Sequence, residues 1–273
     1  MAVVTKLNGF LGARIDGIDF ATGLSEQDQV LIRSALAEHH VVCVSAAAMS
    51  PAQHTTLACF FGTPEEHSFF NNLGEGAETI TVLDSTVGDR ADMWHSDEQF
   101  LRNPPTFTLT QAKTLPPYGG ETAFISLCAV YESLSHGLQR YLEGLTAVHD
   151  YAQIVEMSWQ LGLVPNEQLV QAVSASQWAE HPLVIDHPPS GRRTLFLSPT
   201  YTRFIKGLPM GEAKMLQEFL LHHMLKPEFQ YRHRWIEGDL MIWDNRCTLH
   251  YALNDYQAPR RMHRISVMAD QAE

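Results

Sequence analysis

Positive charge and long hydrophobic runs are scarce in this sequence, and each scarcity excludes a class of protein. Lys and Arg number 19 against 31 Asp and Glu, which gives a formal charge of −12 at pH 7. Proteins that bind nucleic acid or anionic membranes need a basic surface, so neither is an expected partner. No stretch approaches the roughly 18 apolar residues that span a bilayer, and the first residues lack the pattern of a secretory signal. We therefore expect a cytoplasmic protein that acts on a small molecule.

Cysteine is also scarce, and the four cysteines are scattered. Cys43, Cys59, Cys128 and Cys247 form no C-x-x-C motif. Disulfides are rare in the cytoplasm, and a chain of 273 residues buries a large enough core without them. We expect reduced, mostly buried thiols.

Internal repeats and low-complexity linkers are absent as well. The composition, 45% hydrophobic and 18% charged, is that of an ordinary globular protein. The sequence therefore predicts a single domain over residues 1–273.

Helix and strand patterns alternate in the first half of the chain. Residues 23–40 place apolar side chains at helical spacing after a Ser that can cap, with Asp28 three residues on, which predicts a helix. Residues 41–46 and 78–84 are rich in β-branched side chains and predict strands. Residues 104–126 contain two strand-like runs joined by a Pro and Gly turn, the pattern of a hairpin.

The second half of the chain is helical first and strand-like at its end. Helices are predicted over 127–143, 151–175 and 210–225, strand and loop over 192–209, and strands over the last fifty residues. Strands at both ends of a chain close a sheet by long-range contacts. The pattern favours an α+β protein with a mainly β core, of jelly-roll or barrel type, and with helices packed outside.

The stretch MWHSDEQF, residues 93–100, places polar side chains inside an aromatic frame. In an extended strand alternate side chains share a face, so His95 and Asp97 would project to one side while Trp94 faces the other. One imidazole and one carboxylate on a common face are two of the three protein ligands that a catalytic metal commonly has.

His250, in WDNRCTLHYALNDY, is the best candidate for the third ligand. It follows an apolar strand that can lie beside the first in a barrel. Two His and one carboxylate on one face of iron leave positions open, as in non-heme Fe(II) oxygenases. With 14 histidines in the chain, the triad alone is weak support for iron.

The C-terminal stretch PRRMHRISV adds two arginines on one face of a strand. Arg260 and Arg264 are four residues apart and share that face, whereas Arg261 points the other way. A guanidinium binds a carboxylate through two parallel hydrogen bonds. An iron oxygenase that consumes 2-oxoglutarate needs one arginine to anchor the distal carboxylate of this co-substrate. The second arginine would hold an anionic substrate.

Four separate blocks resemble the taurine dioxygenase (TauD/TfdA) family of Fe(II)- and 2-oxoglutarate-dependent dioxygenases. WHSDEQF is similar to the family's W-H-[ST]-D-x-x-F, and WDNRCTLHYA to its W-D-N-R-x-x-x-H-x-A. LPPYGGET is similar to its L-P-x-x-G-G-[DE]-T turn, and RRMHRISV to its closing arginine strand. The resemblance implies a double-stranded β-helix (jelly roll) with helices outside and a helical insertion.

The resemblance also implies roles for individual residues. His95, Asp97 and His250 would be the iron ligands. Thr122, just after the Gly pair, and Arg260 would bind the distal carboxylate of 2-oxoglutarate. The distance from His250 to the closing strand is one residue shorter than in the taurine enzyme, so counting forward from His250 selects Arg261 in place of Arg260.

The substrate site is where the resemblance is weakest. Arg264 and His67 correspond in type to groups that bind an anion, whereas Phe70 replaces a tyrosine. The expected substrate is a small anion, such as a sulfonate, a carboxylate or an amino acid. The expected reaction couples decarboxylation of 2-oxoglutarate to C–H oxidation by O2, and hydroxylation, bond cleavage, desaturation and cyclisation all stay open as outcomes.

Two other classes compete with this interpretation. A zinc-dependent hydrolase can use the same His, Asp and His ligands, although it has no need of paired arginines. A non-catalytic anion-binding protein would result if the metal were never loaded. The resemblance further implies a homodimer or homotetramer.

Overall fold

The structure, a computed structural model, describes residues 2–20, 23–45, 49–66, 71–88, 91–162, 164–175 and 177–269. Within these ranges the chain forms seven α-helices and sixteen β-strands. The helices are α1 Glu26–His39, α2 Pro51–Phe61, α3 Leu127–Glu132, α4 His136–Leu142, α5 Tyr151–Gln160, α6 Asn166–Ala175 and α7 Met210–Met224. The strands are β1 Val3–Lys6, β2 Ala13–Asp16, β3 Val41–Val44, β4 Thr63–Pro64, β5 Thr81–Asp84, β6 Phe107–Thr114, β7 Thr122–Ser126, β8 Thr146–Asp150, β9 Trp178–Pro182, β10 Val184–His187, β11 Arg192–Leu195, β12 Thr202–Lys206, β13 Gln230–His233, β14 Leu240–Asp244, β15 Thr248–Ala252 and β16 Arg261–Met268. The protein is thus a mixed α+β protein with a β-rich core, as predicted.

The chain divides into two compact units. The first comprises residues 1–92, 105–126 and 230–273, and the second comprises residues 93–104 and 127–229. None of the helices in the described ranges combines the length and the apolar character needed to cross a membrane. The expectation of a single domain over 1–273 stays a prediction.

Two sheets form the core of the first unit. One has eight strands in the order β1-β2-β3-β14-β6-β16-β4, with β5 also paired to β16, and the other has three in the order β13-β7-β15. Phe124 of the smaller sheet packs against Trp243 of the larger one, with ring centroids 5.5 Å apart. Fully buried Cys43 and Met262 belong to the same apolar cluster, so the two sheets share one core.

The two-residue period of β3 explains how the larger sheet is covered on both faces. Val42 and Val44 pack in a cluster with Ile32 of α1 and Leu57 of α2, whereas Val41 and Cys43 join the cluster that contains Phe124. Alternate side chains of a strand point to opposite faces, so a strand that is buried throughout needs partners on both. Helices α1 and α2 therefore cover one face of this sheet.

Helix α1 begins and ends where its local sequence dictates. The Ser25 hydroxyl accepts a hydrogen bond from the Asp28 amide at 3.2 Å, and the Asp28 carboxylate accepts one from the Ser25 amide at 3.3 Å. His40 ends the helix in the left-handed conformation, with a φ of 62°, and its amide donates to the Leu36 carbonyl. The predicted helix over 23–40, with its Ser cap, is confirmed, although the helix starts three residues later and ends one residue earlier.

The predicted hairpin over 104–126 is wrong, although both of its strands exist. Strand β6 pairs with β14 and β16, and β7 pairs with β13 and β15, so the two strands lie in different sheets. Both are buried along most of their length. A strand buried on both faces gains most from two hydrogen-bonded neighbours, and the long connection lets the chain cross between sheets.

The second unit contains most of the helices and two small sheets. Strands β12, β8 and β9 form one sheet in that order, and β10 pairs with β11. The helix predicted over 127–143 is two helices, α3 and α4. Ser135 begins the second one, because its hydroxyl accepts a hydrogen bond from the Leu138 amide. The region 151–175 is likewise divided into α5 and α6, and the strands β8, β9 and β10 were not predicted.

The expected state of the cysteines is confirmed in the main. All four thiols are free, and Cys43, Cys128 and Cys247 are buried. Cys59, on α2, is exposed.

We predict that Ser25→Ala lowers the free energy of unfolding by about 1 kcal/mol, since it removes the acceptor that caps α1. Urea denaturation followed by circular dichroism measures the change. Ser34→Ala, at an exposed position inside the same helix, is the matched control and should be neutral or slightly stabilising. Equal effects of the two substitutions would contradict a capping role for Ser25.

Candidate active site

His95 and Asp97 lie side by side in the second unit, but the segment that holds them is not the predicted strand. Residues 97–100 form a turn in which Glu98 has a φ of 47° and its carbonyl accepts a hydrogen bond from the Leu101 amide at 2.8 Å. The His95 Nε2 and Asp97 Oδ1 atoms are nevertheless 3.8 Å apart. His95, an isolated β-bridge residue, and Asp97, at the first position of the turn, therefore bring their side chains together.

The orientation of His95 suits a metal ligand. Its Nδ1 hydrogen-bonds to the Met93 carbonyl at 2.7 Å, so this nitrogen carries the proton and Nε2 is the basic one. Metal-binding histidines commonly donate their second ring nitrogen to a carbonyl or carboxylate in this way. The Thr200 hydroxyl holds the neighbouring Trp94 carbonyl at 2.8 Å, and both His95 and Asp97 are buried. An imidazole and a carboxylate in this state match the donors that Fe(II) and Zn²⁺ accept.

His250 lies in the middle of β15 in the first unit. The strand pairs with β7, where His250 is opposite Phe124, and the imidazole packs 4.8 Å from the Trp243 ring. The side chain is 5% exposed. A buried strand flanked by large rings leaves this imidazole little rotational freedom.

The turn before β15 is built by the W-D-N-R residues, 243–246. The Trp243 indole donates to the Asn245 side chain at 3.1 Å, and the Asp244 carboxylate accepts from the Arg246 guanidinium at 2.7 Å. The Thr248 hydroxyl donates to the Asp244 carbonyl at 2.7 Å. These contacts fix where β15 begins and hence where His250 lies.

The structure brings Arg260 and Thr122 together inside the first unit. Arg260 Nε donates to the Gly120 carbonyl at 3.0 Å, and its terminal nitrogen lies 3.5 Å from the Thr122 hydroxyl. The Trp235 indole donates to the same hydroxyl at 2.9 Å. Arg260 is 9% exposed, and burial lowers the pKa of its guanidinium although Tyr256 acts in the opposite direction.

No carboxylate among the described residues pairs with Arg260, which makes it an unusual cation. A buried charge without a counter-ion costs several kcal/mol, so the environment favours an anionic ligand. The guanidinium of Arg260 and the hydroxyl of Thr122 are donors of the kind that a carboxylate accepts.

Arg261 and Arg264 have different surroundings. The Arg261 guanidinium pairs with Asp84 Oδ2 at 2.6 Å, and its side chain is 55% exposed. Arg264 is 7% exposed and donates to the Ser266 hydroxyl at 3.2 Å. Arg261 is therefore exposed whereas Arg260 and Arg264 are buried, as the alternation of side chains along a strand predicts.

Sequence reasoning missed the side chains that shape the turn before Thr122. The Gly120 amide donates to Asp255 Oδ1 at 2.8 Å, and a Cβ on Gly119 would lie 2.6 Å from the same oxygen. Both glycines have positive φ. The Gly pair was a signal for this close approach, but nothing in the sequence identified Asp255 or Trp235 as its partners. The predicted substrate residues His67 and Phe70 lie outside the described residues.

Comparison with known proteins identifies the family. The model of the family described as taurine catabolism dioxygenase TauD, TfdA family matches residues 4–266. The chain is 33% identical over 269 residues to an alkylsulfatase of Acinetobacter baylyi, covering 97% of this chain and 84% of that protein. It is 32% identical to an α-ketoglutarate-dependent 2,4-dichlorophenoxyacetate dioxygenase of Cupriavidus pinatubonensis, covering 98% of each.

Solved structures agree with the sequence relatives. A crystal structure of a taurine dioxygenase from Burkholderia xenovorans superposes with a TM-score of 0.84 and 29% identity, covering 98% of this chain and 90% of that one. The chain belongs to the TauD, TfdA family, and it is an α-ketoglutarate-dependent dioxygenase; α-ketoglutarate is another name for 2-oxoglutarate. The comparisons give no support to the zinc-hydrolase alternative.

We predict an acid-dependent stability contribution from Asp84, which holds the start of β16 beside Arg260. Hydrogen bonds from Thr86, then the Arg261 ion pair, lower the pKa of Asp84 to about 2, against about 3.9 in an unfolded chain. A lowered carboxyl pKa stabilises the fold above the unfolded value, and the contribution is lost as the pH falls through the folded value. Asp84→Asn should therefore reduce the urea midpoint at pH 7, and the difference from wild type should shrink between about pH 5 and pH 2.

Arg261→Met is the partner experiment to Asp84→Asn. It should remove only part of the pH dependence, because the Thr86 hydrogen bonds to Asp84 remain. Parallel profiles for wild type and Asp84→Asn over the whole range would show that the Asp84 carboxylate contributes nothing.

Proposed function

We propose that His95, Asp97 and His250 hold an Fe(II) ion in this dioxygenase. The support is the donor set: a carboxylate beside an imidazole whose basic nitrogen is fixed by the Met93 carbonyl, and a second buried imidazole on β15. Two His and one carboxylate leave coordination positions for the co-substrates. Bound iron would supply the O2 chemistry that couples oxidative decarboxylation of 2-oxoglutarate, to succinate and CO2, with oxidation of a substrate C–H bond.

The co-substrate anchor is Arg260 with Thr122. The buried guanidinium without a carboxylate partner in the described chain is the single observation that carries this assignment. The distal carboxylate of 2-oxoglutarate would neutralise it and accept a hydrogen bond from the Thr122 hydroxyl, which Trp235 orients. Holding the co-substrate at one end converts its reaction into a positioned, effectively unimolecular event.

The fold that positions these groups is proposed to be a double-stranded β-helix. The two sheets of the first unit carry Arg260, Arg264, Thr122 and His250 on strands or strand ends that share one apolar core. Side chains on strands packed on both faces are held more precisely than side chains on loops.

The substrate is proposed to be a small organic anion with an apolar body. Buried Arg264 provides the cationic group, and His67 and Phe70 are proposed to complete the binding site. The named relatives act, by their names, on alkyl sulfates and on dichlorophenoxyacetate, which combine an anionic group with an apolar body. In the second unit Tyr201 lies edge-on to His95 at 6.3 Å and packs on Phe100, so an aromatic wall stands beside one proposed ligand.

Anaerobic titration with Fe(II) and 2-oxoglutarate tests the proposed metal and its co-substrate anchor together. Wild type should develop the weak visible charge-transfer absorption of the chelated keto acid. Arg260→Ala should need at least about tenfold more 2-oxoglutarate, because truncating one partner of a buried charge pair costs about 2–5 kcal/mol.

Arg261→Ala, at the neighbouring position, is the matched control, and this variant should bind 2-oxoglutarate like wild type. Absence of the absorption in wild type would refute the iron assignment. A large effect of Arg261→Ala with none of Arg260→Ala would exchange the roles of the two arginines.

Succinate release tests the substrate class. Alkyl sulfates, alkanesulfonates and aryloxyacetates should stimulate release, whereas their neutral methyl esters or alcohols should not. Arg264→Ala should raise the KM for the anion by about tenfold or more, since it removes a buried charge-assisted contact. Arg203→Ala, which removes an arginine exposed on β12, is the control. Equal stimulation by neutral and anionic compounds would overturn the proposed substrate class.

A further inference from the structure

Three metal-ligating side chains meet in the first unit at a place that the dioxygenase reaction does not use. They are Cys43 on β3, His233 at the end of β13 and Asp239 just before β14. Their exposures are 0%, 3% and 1% respectively. One donor atom from each lies within 4.8 Å of the other two. Burying a thiol, an imidazole and a carboxylate together costs free energy unless they interact with one another or with a ligand.

The distances are close to those of a bound metal. His233 Nε2 lies 3.2 Å from Asp239 Oδ2 and 3.9 Å from Cys43 Sγ. Donors that bind zinc tetrahedrally, at about 2.0–2.3 Å, lie roughly 3.3–3.6 Å from one another. The distance from His233 to Asp239 is therefore already that of two zinc ligands, and the distance from His233 to Cys43 is a few tenths of an ångström longer.

The imidazole of His233 is already oriented for such a role. Its Nδ1 is hydrogen-bonded to the Tyr231 hydroxyl at 2.9 Å, so Nε2 is the nitrogen that faces Cys43 and Asp239. The ring also stands edge-on to Trp235, with centroids 5.0 Å apart. Partners of this kind on the second ring nitrogen are typical of metal-binding histidines.

Arg14 lies on the solvent side of the cluster, where its positive charge occupies the place that a metal ion would take. Its guanidinium lies 3.8 Å from Cys43 Sγ and 3.6 Å from Asp239 Oδ1, and it also pairs with Asp16 at 3.2 Å. The Arg14 side chain is 28% exposed, so it can move toward Asp16 on the surface of β2. Burial, and then the charge of Asp239, raise the pKa of the Cys43 thiol. Without a metal, Arg14 therefore balances Asp239 and the thiol keeps its proton.

We propose that Cys43, His233 and Asp239 form a second metal site, separate from the proposed iron ligands, that takes a thiophilic divalent cation such as Zn²⁺. Binding would form the metal–sulfur bond and release the thiol proton to solvent, with no change of oxidation state. The thiolate selects Zn²⁺ or Co²⁺ over Mg²⁺ and Ca²⁺, which prefer oxygen donors. Three protein ligands are the number found in zinc sites that keep one position for water.

Co(II) titration of the full-length protein under reducing conditions tests the site. A thiolate bound to Co(II) gives a sulfur-to-metal charge-transfer band in the near ultraviolet, and the His95, Asp97 and His250 set contains no sulfur. Wild type should develop this band and bind two Co(II) ions per chain. Cys43→Ser should lose the band and one ion, whereas Cys128→Ser, at an equally buried cysteine, should retain both.

Cys43→Ser could lose the band because it misfolds. Two variants that keep all three ligands therefore test the site independently. Tyr231→Phe removes the hydroxyl behind His233 and should raise the half-saturating Co(II) concentration by about 10–100-fold. Arg14→Met removes the competing cation and should lower that concentration. Absence of the sulfur band in wild type and in Arg14→Met would overturn the proposal and leave a hydrogen-bonded polar cluster only.

Discussion

The buried guanidinium of Arg260 is the constraint on which the first unit is arranged. It lies directly before β16, donates to the Gly120 carbonyl and lies 3.5 Å from the Thr122 hydroxyl, so one cation joins the ends of strands from both sheets. A Cβ on Gly120 would lie 3.1 Å from the Arg260 side chain, which is why the turn there has no side chain. The Trp235 indole completes the polar lining from a third segment. A buried cation without a carboxylate partner among the described residues favours a bound anion, and this is why Arg260 is proposed to anchor 2-oxoglutarate.

His95 and Asp97, the two proposed metal ligands in the second unit, are positioned by local contacts. His95 is oriented by a carbonyl two residues earlier, and Asp97 follows two residues later in a tight turn. Glu98 adopts a left-handed backbone that is costly for a residue with a side chain. Residues held in such conformations cluster at functional sites, where the surrounding structure compensates for the strain. The proposed metal ligands His95 and Asp97 are thus preorganised by the local backbone, and Thr122 by strand packing.

Sequence reasoning succeeded where the determining interaction is local. The Ser25 and Asp28 capping box lies within four residues, and the pairing of His95 with Asp97 depends on a two-residue spacing. It failed where two distant segments compete for the same partner. The runs that form β6 and β7 have the pattern of a hairpin, yet each finds two neighbours elsewhere. The strand expected over 93–100 gives way to a turn from Asp97 onward. Strand β8 was missed because its five residues show no clear period.

The sequence alone determined the family and the reaction class, because the four motif blocks are each contiguous. It left open whether Arg260 or Arg261 anchors 2-oxoglutarate, because counting forward from His250 and the alternation of side chains along the strand select different residues. Only the tertiary structure decided that Trp235 and Asp255 support the Gly pair and Thr122, and that Cys43, His233 and Asp239 meet. Cys43 lies about 190 positions from its partners in the chain. Contacts over such distances arise from how sheets pack, and no local pattern encodes them.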